Sequence, residues 1–140
     1  MSVVRSGARV LADQLLIQGV NHLFCVPGES AVPVLDALIG APGLRVVVNR
    51  HESGSTFMAC GYARLTGQPG IAYVSRGPGA CNAAIGIHSA HQDSLPVVLL
   101  VGQSPTAFLE PTRSVSRPIT GAKAAPAAPT RPKRPAAALP

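Results

Sequence analysis

The chain has 140 residues and a net charge of +6, which suits one domain and excludes a large multidomain enzyme. The charge is uneven, because residues 1–103 carry six Arg against five acids, whereas residues 104–140 carry six Lys or Arg against Glu110 alone. The three cysteines match neither a disulfide framework nor a metal-binding spacing, and no apolar run approaches the ~18 residues that span a bilayer. We therefore expect reduced thiols, a cytoplasmic location and no membrane association.

The first 103 residues alternate between helix-type and strand-type patterns. Apolar residues recur at helical spacing between Val10 and Ile17, and Gly19 follows where a left-handed helix cap would lie. Ser30 is the expected N-cap of the next helix. In chain order, the predicted elements are a helix at 8–18, a strand at 23–26, a helix at 31–39, a strand at 46–48, a helix at 53–65, a strand at 71–75, a helix at 80–90 and a strand at 96–101.

This alternation predicts an α/β fold in which helices flank a parallel sheet. The run of valines at 46–48 has no polar alternation, which favours a strand covered by helices on both sides. Ligands of such sheets bind beyond the carboxyl ends of the strands. We therefore expect the chemistry in the four loops that follow the strands, at 27–29, 50–52, 76–79 and 102–103.

Residues 104–140 form a second compositional unit, with eight Pro, nine Ala and one aromatic residue. They have no periodic apolar face, so we expect a disordered tail after a domain at 1–103. Two origins are open, a native basic arm or out-of-frame translation of a GC-rich gene, and we favour the second. A native arm would make the chain a non-catalytic binding module for nucleic acid or an acidic partner. Nucleic acid is the less favoured partner, because the tail has no groove-reading motif.

Glu52 stands between a predicted strand and a predicted helix. A carboxylate at this position is often only a helix terminus favoured by the helix dipole, and that explanation is the commoner one from position alone. The functional alternative is that apolar neighbours and glycine-rich loops at the other strand ends make an isolated acid costly unless it has a role. We treat Glu52 as the first candidate for chemistry.

Two other patterns carry less weight. The turn at Gly77 and Gly79 lacks the third glycine and the downstream acid of a dinucleotide-binding loop, so we interpret it as a structural turn or as a backbone cradle for a different cofactor. His51, His88 and His91 have no cysteine or carboxylate at the spacing of a zinc site. We therefore expect no metal ligands in this chain.

Five segments in series carry a family resemblance, at 24–30, 49–52, 61–67, 76–82 and 92–103. Together they resemble the N-terminal pyrimidine-binding domain of thiamine diphosphate enzymes, in the acetolactate synthase-like branch. The resemblance covers about residues 5–103. It implies a 2-oxo acid decarboxylase or carboligase that uses thiamine diphosphate and Mg²⁺. Whether this chain is itself an enzyme stays open at this stage.

The resemblance also implies roles for individual residues. Glu52 would share a proton with a ring nitrogen of the cofactor's aminopyrimidine, which favours the tautomer that removes the thiazolium proton. Pro27 and Gly28 would lie beside the thiazolium and the substrate. Pro78, Gly79 and Asn82 would form the wall against the pyrimidine, and Gln92 would face the reacting carbonyl.

The sequence also departs from the family pattern. Cys81 stands where Thr is common, His91 where an aromatic residue usually precedes the Gln, and Cys60 where an acid is frequent. Family enzymes bind the diphosphate and Mg²⁺ on a separate domain that carries Gly-Asp-Gly, and this tripeptide is absent from the 140 residues. The resemblance therefore implies half a site, a homo- or hetero-oligomer that supplies the other half, and no activity for the chain alone.

Overall fold

The computed structural model describes residues 4–104 of the chain. All eight predicted elements are present, and the predicted α/β class with a parallel sheet is confirmed. In chain order they are α1 (Gly7–Ile17), β1 (His22–Cys25), α2 (Val32–Leu38), β2 (Arg45–Val48), α3 (Glu52–Thr66), β3 (Gly70–Val74), α4 (Pro78–Gln92) and β4 (Val97–Val101).

The four strands form one parallel sheet with the order β2-β1-β3-β4. The register pairs Leu23 of β1 with Val46 of β2 and with Ile71 of β3. β3 pairs in turn with β4 along its whole length, from Gly70 and Val97 onward. All four carboxyl ends therefore lie along the same edge of the sheet.

The core has two parts, one on each face of the sheet. Successive strand residues point to opposite faces, so Leu23 and Cys25 pack against α1 and α2 while Phe24 packs against α3. Every residue of β3 is buried, because helices cover it on both faces. α4 packs mainly against α3, and this places two helix N-termini beside the carboxyl edge of the sheet.

Three local expectations are corrected by the structure. β2 is an edge strand, and its residue Val48 is 63% exposed, so helices do not cover this strand on both sides. Ser30 does not cap α2, since a 3-10 turn at Glu29–Ala31 precedes that helix and its N-cap Ala31 makes no side-chain hydrogen bond. Glu52 lies inside α3 as its first residue, so the helix starts one residue earlier than its spacing predicts.

No helix among residues 4–104 has the length and hydropathy needed to cross a membrane. The predicted tail, apart from Ser104, lies outside the described residues. The predictions about its origin and its polyanion partner concern those same residues.

Candidate functional site

The loops after the four strands converge at the carboxyl edge of the sheet. Gly28, after β1, packs against Ser75, which directly follows β3. Gly79, in the first turn of α4, packs against both Ser75 and Glu52. Gly102, after β4, packs against Ser30. The predicted location of the chemistry is therefore a single cluster of contacts rather than four separate loops.

Glu52 occupies the start of α3 because His51 ends the extended backbone there and caps the helix. The His51 imidazole Nδ1 accepts a hydrogen bond from the Ser53 backbone N–H at 3.3 Å. The Glu52 side chain is half-buried, and its Oε2 accepts a hydrogen bond from the Asn82 amide Nδ2 at 3.0 Å. Among residues 4–104 the carboxylate forms no ion pair with a Lys, Arg or His side chain, so a neutral amide fixes it.

Oε1 is the carboxylate oxygen that Asn82 leaves free, and it faces Gly79. A Cβ built on Gly79 would lie 3.3 Å from Glu52 Oε1 and 2.8 Å from Ser75 Oγ. A Cβ built on Gly28 would lie 2.8 Å from the Ser75 Cβ. Glycine at both positions therefore allows close packing on Ser75, and at Gly79 it also brings the backbone close to the acid.

The spacing between Glu52 and Asn82 depends on how α3 packs against α4. Thr56 Oγ1 donates a hydrogen bond to the Ala83 carbonyl at 3.3 Å, and Cys60 Sγ donates one to the Gly86 carbonyl at 3.4 Å. At the far end of the two helices, Arg64 pairs with Asp93. These contacts hold the helices in one register, so Asn82 lies opposite Glu52.

The structure brings four of the seven predicted site residues into this cluster: Gly28, Glu52, Gly79 and Asn82. Pro27 lies exposed in the loop after β1, and Pro78 is the exposed first residue of α4. Both adjoin the cluster through their glycine neighbours.

Gln92 is the predicted residue that the structure leaves outside the cluster. It is the last residue of α4, is exposed, and lies about 20 Å from Gly79 along a helix that rises about 1.5 Å per residue. Its role opposite the reacting carbonyl stays a prediction. Within one copy of the chain, the length of α4 keeps the Gln92 side chain at the opposite edge of the sheet.

Sequence reasoning missed Ser75, which contacts both glycine bends. A signal was present, because Ser75 is the last residue of the strand predicted at 71–75 and immediately precedes the loop predicted at 76–79.

Two buried ionisable groups lie beneath the site. Burial raises the pKa of the Cys25 thiol and that of the Tyr73 phenol, which face each other across β1 and β3. The Tyr73 hydroxyl donates a hydrogen bond to the Ser30 carbonyl at 3.2 Å. Both groups are therefore neutral and structural around neutral pH. Within residues 4–104, no three His, Cys, Asp or Glu side chains cluster closely enough to hold a metal ion.

Comparison with known proteins identifies a matching family. Residues 5–124 match the family model described as the thiamine pyrophosphate enzyme, N-terminal TPP binding domain. The match extends past the domain boundary that composition predicts at residue 103.

Three relatives illustrate the similarity. The acetolactate synthase large subunit of Buchnera aphidicola is 42% identical over 100 residues, which are 71% of this chain and 18% of that protein. The acetolactate synthase isozyme 3 large subunit of Escherichia coli is 42% identical over 104 residues, or 74% of this chain and 18% of that protein. The chloroplastic acetolactate synthase of Arabidopsis thaliana is 39% identical over 124 residues, or 81% of this chain and 18% of that protein.

The chain thus spans less than a fifth of the length of these relatives. The family model nevertheless covers most of the chain, and it includes every residue of the Glu52 cluster. The chain therefore belongs to the family of N-terminal TPP-binding domains of thiamine pyrophosphate enzymes, and its relatives are acetolactate synthases.

Proposed function

We propose that this chain is the pyrimidine-binding half of a thiamine diphosphate site in an acetolactate synthase-like 2-oxo acid decarboxylase or carboligase. The observation that carries the proposal is the arrangement of Glu52, whose one oxygen is fixed by Asn82 and whose other faces the backbone of Gly79. A half-buried carboxylate held by a neutral amide at the carboxyl edge of a parallel sheet is suited to exchanging a proton with a bound ligand.

The residues present fit the aminopyrimidine part of this cofactor. Because Gly28 and Gly79 lack a Cβ, both bends pack closely on Ser75, and this places the first turn of α4 beside Glu52. We propose that the planar ring binds along this backbone. Glu52 Oε1 is the oxygen that would share a proton with a ring nitrogen there. We assign ring contact to Gly28, Gly79 and Asn82, with Pro27 and Pro78 bordering it.

Within the proposed site the protein's part is to hold and move a proton at Glu52 Oε1. Asn82 keeps Oε2 occupied, so the proton exchanges at one defined oxygen. Packing of α3 on α4 keeps that oxygen in place, and this avoids reorganisation during the reaction. When bound, the cofactor supplies an acidic thiazolium carbon that reacts with the carbonyl of a 2-oxo acid.

The diphosphate and Mg²⁺ belong to another domain in this proposal. The 140 residues contain no Gly-Asp-Gly, and residues 4–104 contain no cluster of metal-binding side chains. The chain would therefore act as part of a homo- or hetero-oligomer whose other member binds the charged end of the cofactor. A cytoplasmic location is part of the same proposal and is supported by three free thiols.

A reconstitution experiment tests the proposed role of Glu52. The full 140-residue chain is mixed with a separately produced diphosphate-binding domain of an acetolactate synthase, thiamine diphosphate, Mg²⁺ and pyruvate. We expect product formation on mixing, and a fall of about 100-fold or more for Glu52→Gln, because loss of a positioned proton-transfer group costs about 10²–10⁴-fold. Asp36→Asn, which neutralises an exposed carboxylate on α2, should retain full activity. Equal rates for Glu52→Gln and the unaltered chain would refute the role.

A further inference from the structure

Ser75 lies between two of the converging loops and has no part in the function proposed above. It directly follows β3 and is half-buried. Its Cβ would lie 2.8 Å from a Cβ built on Gly28, and its Oγ would lie 2.8 Å from a Cβ built on Gly79. The Ser75 side chain therefore fills the gap between the bend after β1 and the first turn of α4.

Gly79 connects Ser75 with the carboxylate. A Cβ built on Gly79 would lie 2.8 Å from Ser75 Oγ and 3.3 Å from Glu52 Oε1, so both oxygens lie next to the same point of the α4 backbone. Asn82 fixes Oε2 from the next turn of the same helix. Any shift in the start of α4 therefore changes the surroundings of both carboxylate oxygens.

We propose that Ser75 is a positioning residue whose Oγ sets the approach of Gly79 to Glu52 and hence the placement of the free oxygen Oε1. Protein interiors are closely packed, so a displacement of Ser75 Oγ would also displace Gly79. The inference rests on the proposed function only in taking Glu52 as the group that must be placed. It concerns the free chain, so it can be tested without cofactor.

The test is NMR spectroscopy of the full 140-residue chain without cofactor. The reporters are the ¹³C signal of the Glu52 carboxyl and the side-chain amide signals of Asn82. We compare Ser75→Ala, Gly79→Ala and the double variant with the unaltered chain. Ser89→Ala is the control, because Ser89 lies on the same helix and its hydroxyl donates only to the Ile85 carbonyl, at 3.2 Å.

We expect Ser75→Ala to shift both reporters and Ser89→Ala to leave them in place. Gly79→Ala should shift them further, because its Cβ meets Ser75 Oγ and Glu52 Oε1. The double variant should shift them less than Gly79→Ala alone, since removal of Oγ makes room for the new methyl group. Non-additivity of this kind is the signature of contacting residues.

Thermal unfolding of the same variants gives a second measurement. Adding Ser75→Ala to Gly79→Ala should recover at least half of the decrease in Tm that Gly79→Ala causes alone. A double variant that folds where Gly79→Ala does not would also support the proposal. Reporters that do not move in Ser75→Ala would overturn it, as would identical shifts in Gly79→Ala and the double variant. Failure of the proposed function would show itself separately, in the reconstitution experiment.

Discussion

At the scale of the residue, the site depends on how one carboxylate is held. Glu52 is fixed by the neutral amide of Asn82, whereas Glu29, at the rim of the same edge, lies 3.9 Å from the Arg76 guanidinium. An amide donor adds no charge, so the negative charge of Glu52 remains available to a ligand. Glu29 is largely exposed, and an exposed pair of this kind contributes little to stability.

Burial of Cys25 and Tyr73 predicts a loss of stability at alkaline pH. Burial raises the pKa of each group in the folded chain above its ordinary value, 9.0 for the thiol and 10.0 for the phenol. Above about pH 9 the unfolded chain releases these protons first, so it binds fewer protons than the folded chain and is favoured. The free energy of unfolding should fall by at most about 1.4 kcal/mol per pH unit for each group.

Urea unfolding of the full chain at pH 8 and pH 10 measures this effect. The Cys25→Val variant keeps an apolar side chain of similar size and should show a shallower decline than the unaltered chain. Stability that rises between pH 8 and pH 10 would contradict the assignment of Cys25 and Tyr73 as neutral core groups.

At the scale of the element, the contact between α3 and α4 fixes the site. Gly86 of α4 lies directly against the Thr56 side chain, and a Cβ at residue 86 would overlap Thr56 Oγ1. Gly61 of α3 is also inside a helix, yet a Cβ there would meet nothing within 4 Å. Both glycines therefore lie inside helices, but only Gly86 is in close contact with the neighbouring helix.

This difference in packing predicts opposite effects on stability for a Gly→Ala substitution at the two positions. Gly86→Ala should lower the free energy of unfolding by about 1–3 kcal/mol, because overpacking forces the helices apart. Gly61→Ala should be neutral or raise it by up to about 1 kcal/mol, since Ala is the better helix former. Chemical denaturation of both variants provides the comparison. Equal destabilisation by the two substitutions would show that the close helix contact at Gly86 does not exist.

The elements were predictable from sequence because their patterns are local. The helical spacing of α1 and the closing glycine at residue 67, which adopts φ +69°, are properties of neighbouring residues. The early start of α3 was not predictable from spacing, because it depends on the His51 imidazole reaching the Ser53 N–H. Ser30 has a side chain suited to N-capping, but it lies in a 3-10 turn and its hydroxyl is buried near Gly102. It therefore does not cap α2, and its sequence alone does not predict this.

The candidate site was predictable in part, for reasons of distance. Glu52, Gly28 and Gly79 follow strand ends, and strand ends of a parallel sheet meet at one edge. Asn82 and Gln92 share one helix, and only the first lies near that edge, because a helix of 15 residues separates its two ends. The sequence alone does not predict which side chain fills the space between two loops, as Ser75 does, because that depends on how distant segments pack.

At the scale of the whole molecule, the proposed function makes the described part of the chain one wall of a site. The sheet exposes apolar residues on both outer strands, at Val48 of β2 and Val101 of β4. The chain covers 18% of the length of its bacterial relatives. We infer that this wall needs a second domain to become a complete cofactor site, and this defines what the isolated chain should bind.

NMR titration of the isolated 140-residue chain, first with thiamine and then with thiamine diphosphate and Mg²⁺, tests the central claim most directly. We predict weak binding of both ligands, with shifts centred on Gly28, Glu52, Gly79 and Asn82 and absent from Gln92, because the diphosphate gains no partner in this chain. Tight stoichiometric binding of thiamine diphosphate would contradict the half-site, and shifts confined to residues away from Glu52 would contradict the site itself.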